Sequence, residues 1–340
     1  MWVGTLADRL RGETYLVGLY ADFVPTRDRS PRLHIVTGKG GTGKTTVAGS
    51  LALALARQSK RVLLIEVEGR QGLAQLFDTP PLPSTERRLA ATSGGEVIGL
   101  SVDPETAMME YLEMFYSIKR GASVLRKMGA IDFVTTIAPG MRDVLLTGKV
   151  KEAVTRTARN GKPAFDAVVL DAPPTGRITH FLETTNEVAG LTKMGPIYRQ
   201  STGVIELLHS SVTRVHIVTL LEEMPVQETI DAATELRGAG YHLGQVLVNR
   251  ARPVLVAAGR PDESLLAEGL GEAGLDPALA ADLATEVADY AERQDVQIRA
   301  EADLAEVGMP VTRLPELAPP MDLGTLYELA DALDIESWTE

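Results

Sequence analysis

Short apolar runs recur along this chain at 33–36 (LHIV), 61–67 (RVLLIEV), 97–102, 165–170, 215–219, 245–248 and 311–314, and stretches of helical spacing separate them. Runs that stay apolar without alternating suit strands covered on both faces, and such strands belong to parallel sheets. The pattern therefore predicts an α/β fold, a doubly wound and mostly parallel sheet with its ligand at the carboxyl ends of the strands. About a hundred residues separate 61–67 from 165–170, more than a plain crossover needs, so an inserted helical subdomain is expected over roughly 104–160 and 182–210. Asp103-Pro104 and Asp276-Pro277 both read as helix starts, with aspartate as cap and proline in the first turn. After the first, Met108, Tyr111, Leu112 and Phe115 share one stripe; after the second, Leu279, Leu283 and Val287 mark one face. Residues 1–31 stand apart, a short amphipathic piece followed by the charged, Pro-bounded PTRDRSP, and read either as a flexible arm or as an over-extended start ahead of one domain at 32–340.

The first apolar run leads straight into Gly38, Lys39, Gly40, Gly41, Thr42, Gly43, Lys44, Thr45 and Thr46. Gripping a triphosphate takes many backbone N–H groups aimed at one point, and glycine lets the chain fold that tightly without Cβ clashes. Gly38, Gly40, Gly41 and Gly43 supply that freedom. The helix opening at Lys44 adds its N-terminal dipole, the Lys44 ammonium can reach the β- and γ-oxygens, and the Thr45 hydroxyl suits a Mg²⁺ ligand. An ordinary Gly-rich turn would not require a buried strand before it and the helix VAGSLALALARQ after it. The fold expectation narrows accordingly to a P-loop NTPase with ATP and Mg²⁺ as its cofactors. Lys39 is not needed by the phosphates of its own loop; it is either a solvated surface lysine or a residue with another task.

Asp171 ends the run FDAVVLD, at a strand tip, where a phosphate-hydrolysing site needs a carboxylate facing Mg²⁺ through water. Gly176, in the following APPTG, could bring a backbone N–H to the γ-phosphate and so sense its presence. Asp171 as a simple helix N-cap is the alternative.

Composition narrows the partners. A net charge of −12 works against nucleic-acid binding and against attraction to anionic lipid. No run approaches the ~18 apolar residues of a membrane span, and the charged N-terminus does not read as a secretory signal. The chain has no cysteine, which removes disulfides, thiolate metal sites and thiolate-bound iron–sulfur clusters.

KGGTGKTT, VLLIEVEGRQGLAQLF, VDPETAMMEY, APGMRDVLL, LDAPPTGRITHFL, MPVQET and VLVNR occur in the order and approximate spacing of the arsenite-pump ATPase family, which also contains the cytosolic ATPases that deliver tail-anchored membrane proteins. The chain resembles that family from about Arg32 to its end. The resemblance implies that 38–46 binds phosphates and Mg²⁺, and that Lys39 reaches the nucleotide of the facing subunit in a dimer. It also implies that Glu68 stands where an aspartate orients the attacking water, that 171–176 is the second switch, and that Asn249 hydrogen-bonds the adenine, with loop residues near Pro315 beside the base. The activity implied is that of an ATP-hydrolysing dimeric switch, a homodimer or a heterodimer with a paralogous ATPase. It would be cytoplasmic, with transient membrane contact, and coupled to an apolar or membrane-associated client. Met108, Met109, Met114, Met128 and Met141 fall in the expected insertion; flexible thioethers suit an apolar groove, and the same spacing suits an ordinary core.

The departures are informative. The family's first switch usually reads DPAHNL and this chain has EGRQGL, so the carboxylate is one methylene longer and a proline has become glycine. A displacement of about 1 Å at a reacting centre costs about a hundredfold in rate, which keeps open a weakly hydrolysing regulatory subunit paired with a paralogue. Arg177 replaces the usual histidine after PTG, as a phosphate contact or as a surface ion-pair partner. Without cysteine, arsenite has no thiolate ligands here. A membrane-surface partition ATPase would end in a basic amphipathic helix, whereas DLGTLYELADALDIESWTE is acidic.

Overall fold

The computed structural model describes residues 30–67, 69, 71–102, 140–191, 196–256, 259, 261–335 and 338. Its spine is an eight-stranded sheet in which every apolar run of the sequence becomes a strand: β1 (Leu33–Gly38), β2 (Arg61–Glu66), β4 (Glu96–Ser101), β5 (Ala167–Asp171), β6 (Thr213–Thr219), β7 (Leu243–Ala251) and β8 (Val311–Pro315). These pair in parallel. β3 (Arg87–Ala91) is a strand the apolar pattern does not predict; it runs antiparallel to β4, with a register irregularity between Arg88 and Ala90. Its RRLAA sequence is short and charged because it closes one edge, where a charged strand blunts further pairing. The spatial order is β3-β4-β2-β5-β1-β6-β7-β8.

Helices cover both faces. On one, α1 (Lys44–Arg57) and the single turn α2 (Gly72–Leu76) pack with α9 (Leu323–Ala332) over Val36, Leu64, Val169 and Leu247. Val47 to Ala56 are all buried, so α1 is covered on every side and its sequence is small and apolar throughout rather than striped. On the other face, α3 (Met141–Thr155), α4 (Thr175–Leu191), α5 (Pro196–Leu208) and α6 (Glu223–Gly238) enclose a second core that contains Leu146, Phe181, Leu207 and Leu236. α7 (Glu263–Glu272) and α8 (Pro277–Ala305) form a helical pair, of which Ala300 and Leu304 reach that core.

Asp276 caps α8 as its sequence predicts, accepting from the N–H groups of Ala278 (3.0 Å) and Leu279 (3.4 Å). The buried stripe of α8 differs from the expected one: Ala280, Ala284, Ala288 and Ala291 are inside, while Leu279 and Leu283 are exposed. Methyl-sized side chains let α8 lie close to its neighbours, which larger leucines on that stripe would prevent. The arm 1–29, the helix start at Asp103-Pro104 and Met108, Met109, Met114 and Met128 lie outside the described residues. Of the stretches expected as an insertion, α3 and α5 are described, and they place Leu146, Val150, Val204 and Leu207 in the core.

Strand register sets up the site. Val36 lies opposite Asp171 and Asp171 opposite Glu66, while Gly38 pairs with Val218 and Thr219 with Val248. The carboxyl ends of β1, β2, β5, β6 and β7 therefore converge beside the Gly-rich loop.

Candidate nucleotide site

The loop glycines divide by what surrounds them. At Gly38 an added Cβ would sit 2.1 Å from the Val218 carbonyl oxygen, and at Gly43, with φ +88°, 2.3 Å from Asn249 Nδ2. Those two are glycine because protein crowds them. Gly40, Gly41 and Gly176 have no atom within 4 Å of that position, so their backbones are open to an approaching ligand. Gly41 also has φ +89°, a conformation that aims successive N–H groups inward. Asn249 is buried, and its amide donates to the Thr42 carbonyl at 2.8 Å, which fastens β7 to the loop. Thr42 Oγ1 in turn donates to the Lys39 carbonyl at 2.8 Å, and Lys44 Nζ reaches the same oxygen at 3.4 Å.

Thr45 opens the second half. Its hydroxyl donates to Asp171 Oδ2 at 2.7 Å, so the residue expected to ligate the metal and the carboxylate expected behind it are in contact. Glu66, on the strand next to Asp171, is buried; one of its oxygens accepts from the Gly72 N–H at 2.8 Å, and the other has no hydrogen-bond partner. Gly72 is itself close-packed, since a Cβ there would come within 3.1 Å of Thr45 Cγ2. A buried carboxylate oxygen without a partner is costly in an apolar interior, and a hydrated cation nearby removes that cost. One hydroxyl and two carboxylates form a hard oxygen set that suits Mg²⁺, which takes few protein ligands and completes its shell with water and phosphate. Among the described residues no group of three or more His, Cys, Asp or Glu side chains is placed to hold a metal ion.

A hydrogen bond from Thr37 Oγ1 to the Pro173 carbonyl (2.7 Å) ties the base of the loop to the segment after Asp171. Lys39 is paired within its own chain: its Nζ lies 2.7 Å from Glu228 Oε1 on α6, and Glu228 Oε2 accepts from Thr175 Oγ1 at 3.3 Å. Glu228 thus joins the loop lysine to the first turn of α4. Arg177, in that same turn, is exposed and lies within electrostatic reach of Asp143, whose carboxyl is pushed up by burial against the opposing pull of Arg177, Arg142 and His180.

On the other side of the loop a cavity of about 520 Å³ is lined by Gly41, Gly43, Thr46, Asn249, Pro315 and Met321. Glu316 at its rim accepts from Arg252 Nε and Arg250 Nη2, both at 2.7 Å. Those bonds, that of Arg252 first, hold the Glu316 carboxyl below its ordinary range. The structure thus gathers 38–46, Asp171, Gly176 and Asn249 at one end of the sheet, while Glu68 lies outside the described residues. Two residues of the site have no counterpart among those the sequence pattern singles out. Glu66 is legible only as the end of an apolar run, and Glu228 sits unassigned inside MPVQET.

Residues 32–212 match the family described as anion-transporting ATPase. The chain is similar to the ATPase BagA of Mycobacterium tuberculosis, 48% identical over 320 residues that cover 91% of this chain and 94% of that protein. It is 30% identical over 179 residues to the ATPase get3 of Schizosaccharomyces japonicus, covering 50% of this chain and 51% of that one. With an arsenical pump-driving ATPase of Escherichia coli it shares 26% identity over 244 residues, 65% of this chain and 40% of the relative. No helix among the described residues is long and apolar enough to cross a membrane.

Proposed function

Because this chain belongs to the anion-transporting ATPase family, we propose that its ATP hydrolysis runs a two-subunit switch that handles an apolar or membrane-associated client rather than arsenite. The observation that carries the nucleotide half is the 2.7 Å contact between Thr45 and Asp171 beneath the glycine cradle. It supports a site in which the backbone of 38–46 holds the phosphates, Lys44 neutralises charge on the transferring group, and Gly176 offers an N–H at the γ-position. Thr45, with Asp171 and Glu66 behind it, would hold Mg²⁺, which when bound would supply positive charge to the phosphates. Glu68 orients the attacking water. The cavity beside Asn249 and Pro315 has the location and size for the base.

Lys39 supplies the link between subunits. Its partner Glu228 is on a helix outside the loop, so an ammonium that exchanges Glu228 for the phosphates of a facing nucleotide would couple association to the state of both sites. The absence of cysteine from the sequence argues against arsenite as the client. Met108, Met109, Met114, Met128 and Met141 in the sequence are the support for an apolar one.

Steady-state hydrolysis and sedimentation test this together. Glu68→Gln is expected to retain ATP binding while losing at least about a hundredfold in turnover. Lys39→Ala is expected to abolish ATP-dependent association. Undiminished turnover in Glu68→Gln would remove that residue from the chemistry. A wild-type chain that turns over only when mixed with a paralogous ATPase would favour the regulatory-subunit reading, which the EGRQGL segment supports.

A further inference from the structure

At the opposite ends of β1, β6 and β7, away from the Gly-rich loop, lies a separate cavity of about 170 Å³. Two histidines form part of its wall. His34 and His216 are buried, stack with centroids 5.3 Å apart, and share a 3.1 Å hydrogen bond from ring to ring. Burial, and then the charge of Lys60, lowers the His34 pKa to about 4, and burial likewise carries His216 well below its ordinary value, so both rings are neutral near pH 7.

The hydrogen bonds assign the tautomers. The Gln245 N–H donates to His216 Nδ1 at 3.1 Å, so the proton of His216 is on Nε2. That proton is donated to His34 Nδ1, which leaves the proton of His34 on its own Nε2. His34 Nε2 is buried and has no hydrogen-bond partner. The Pro31 carbonyl favours a protonated ring but does not reach hydrogen-bonding geometry. The relay is closely built: a Cβ on Gly244 would fall 2.6 Å from His216 Nδ1.

Two basic side chains stand near this donor. Lys60 and Arg214 line the same cavity, and no described lining residue is acidic, in a chain whose net charge is −12. The Arg214 guanidinium bonds only to the carbonyls of Ser211 (2.8 Å) and Thr213 (2.9 Å), with no carboxylate partner among the described residues. Leu55, Leu243, Ile335 and Trp338 make the apolar part of the wall, beside the polar Ser30, Gln58 and Gln245, and the Trp338 indole lies 5.1 Å from the His216 ring.

We propose that this cavity is a binding site for a small organic carboxylate with an aromatic body. The carboxylate would accept from His34 Nε2–H and from Arg214, with Lys60 completing the positive rim, and the body would lie against Trp338 and Leu243. An orphan buried donor, two cations and an apolar floor are what such a molecule needs, and an uncharged analogue satisfies only part of them.

The test uses the full-length chain and benzoate as the probe, with benzamide as its uncharged isostere. Calorimetry is expected to show saturable binding of benzoate, at least tenfold weaker binding of benzamide, and at least a tenfold loss of benzoate affinity in Arg214→Gln. Nitrogen-15 NMR of the unmutated chain gives a second readout that does not depend on the variant folding: benzoate should shift the His34 Nε2 resonance. Failure of benzoate to saturate at millimolar concentrations would overturn the proposal. So would equal affinity for benzamide, an unchanged Arg214→Gln, or a His34 Nε2 resonance that benzoate leaves in place.

Discussion

Lys39 and Lys44 belong to the same loop and meet different fates: Lys44 turns back onto the loop backbone, while Lys39 leaves it for Glu228. Both members of the Lys39–Glu228 pair are about one-third exposed, so the pair contributes about 0.2–1 kcal/mol. That is a weak restraint, suited to being exchanged. If Glu228 competes with a facing nucleotide for the ammonium, Glu228→Gln should tighten ATP-dependent association by up to about fivefold, the factor that ~1 kcal/mol represents. Sedimentation with ATP checks it; weaker association in the variant would show that Glu228 serves the associated form instead. The loop residues are legible in the sequence because spacing alone dictates their chemistry. Glu66 is not, since its meaning comes from the neighbouring strand that carries Asp171 and from Thr45 across the gap, a long-range relation that local pattern does not hold.

Among the elements, the start of α8 shows a boundary written directly in side chains. Asp276 accepts two N–H groups of the first turn of α8, and an exposed cap of this kind is worth about 1 kcal/mol. Asp276→Ala should therefore raise amide exchange at 278–280 several-fold while leaving 300–304, inside the core, unaltered. Unchanged exchange at 278–280 would show that packing against α7, and not the cap, holds that end. Strands are readable where both faces are covered, because uninterrupted apolar runs have few other uses. β3 is not, since an edge strand with arginines carries no such run. The face of α8 eludes the periodicity for a related reason: leucine marks a buried stripe only where there is room for it, and this helix approaches its neighbours through alanine.

Across the whole molecule, the sheet order places β5 between β1 and β2, so a carboxylate more than a hundred residues downstream of the loop comes to lie beside it. The sequence announces a doubly wound sheet but not that order, which is decided by how the crossover helices pack. With β1 and β5 adjacent, the Thr37–Pro173 bond and the Thr45–Asp171 bond make the loop and the segment 171–176 one mechanical unit. A switch driven by ATP requires this unit to respond to the γ-phosphate. The decisive experiment is amide hydrogen exchange of Glu68→Gln in Mg-ATP and in Mg-ADP. Protection of 38–46 is expected with either nucleotide, while 172–178 and the first turn of α6 should change protection only with ATP. Identical exchange of 172–178 in the two nucleotides would show that the unit does not sense the γ-phosphate, and the switch would have no trigger.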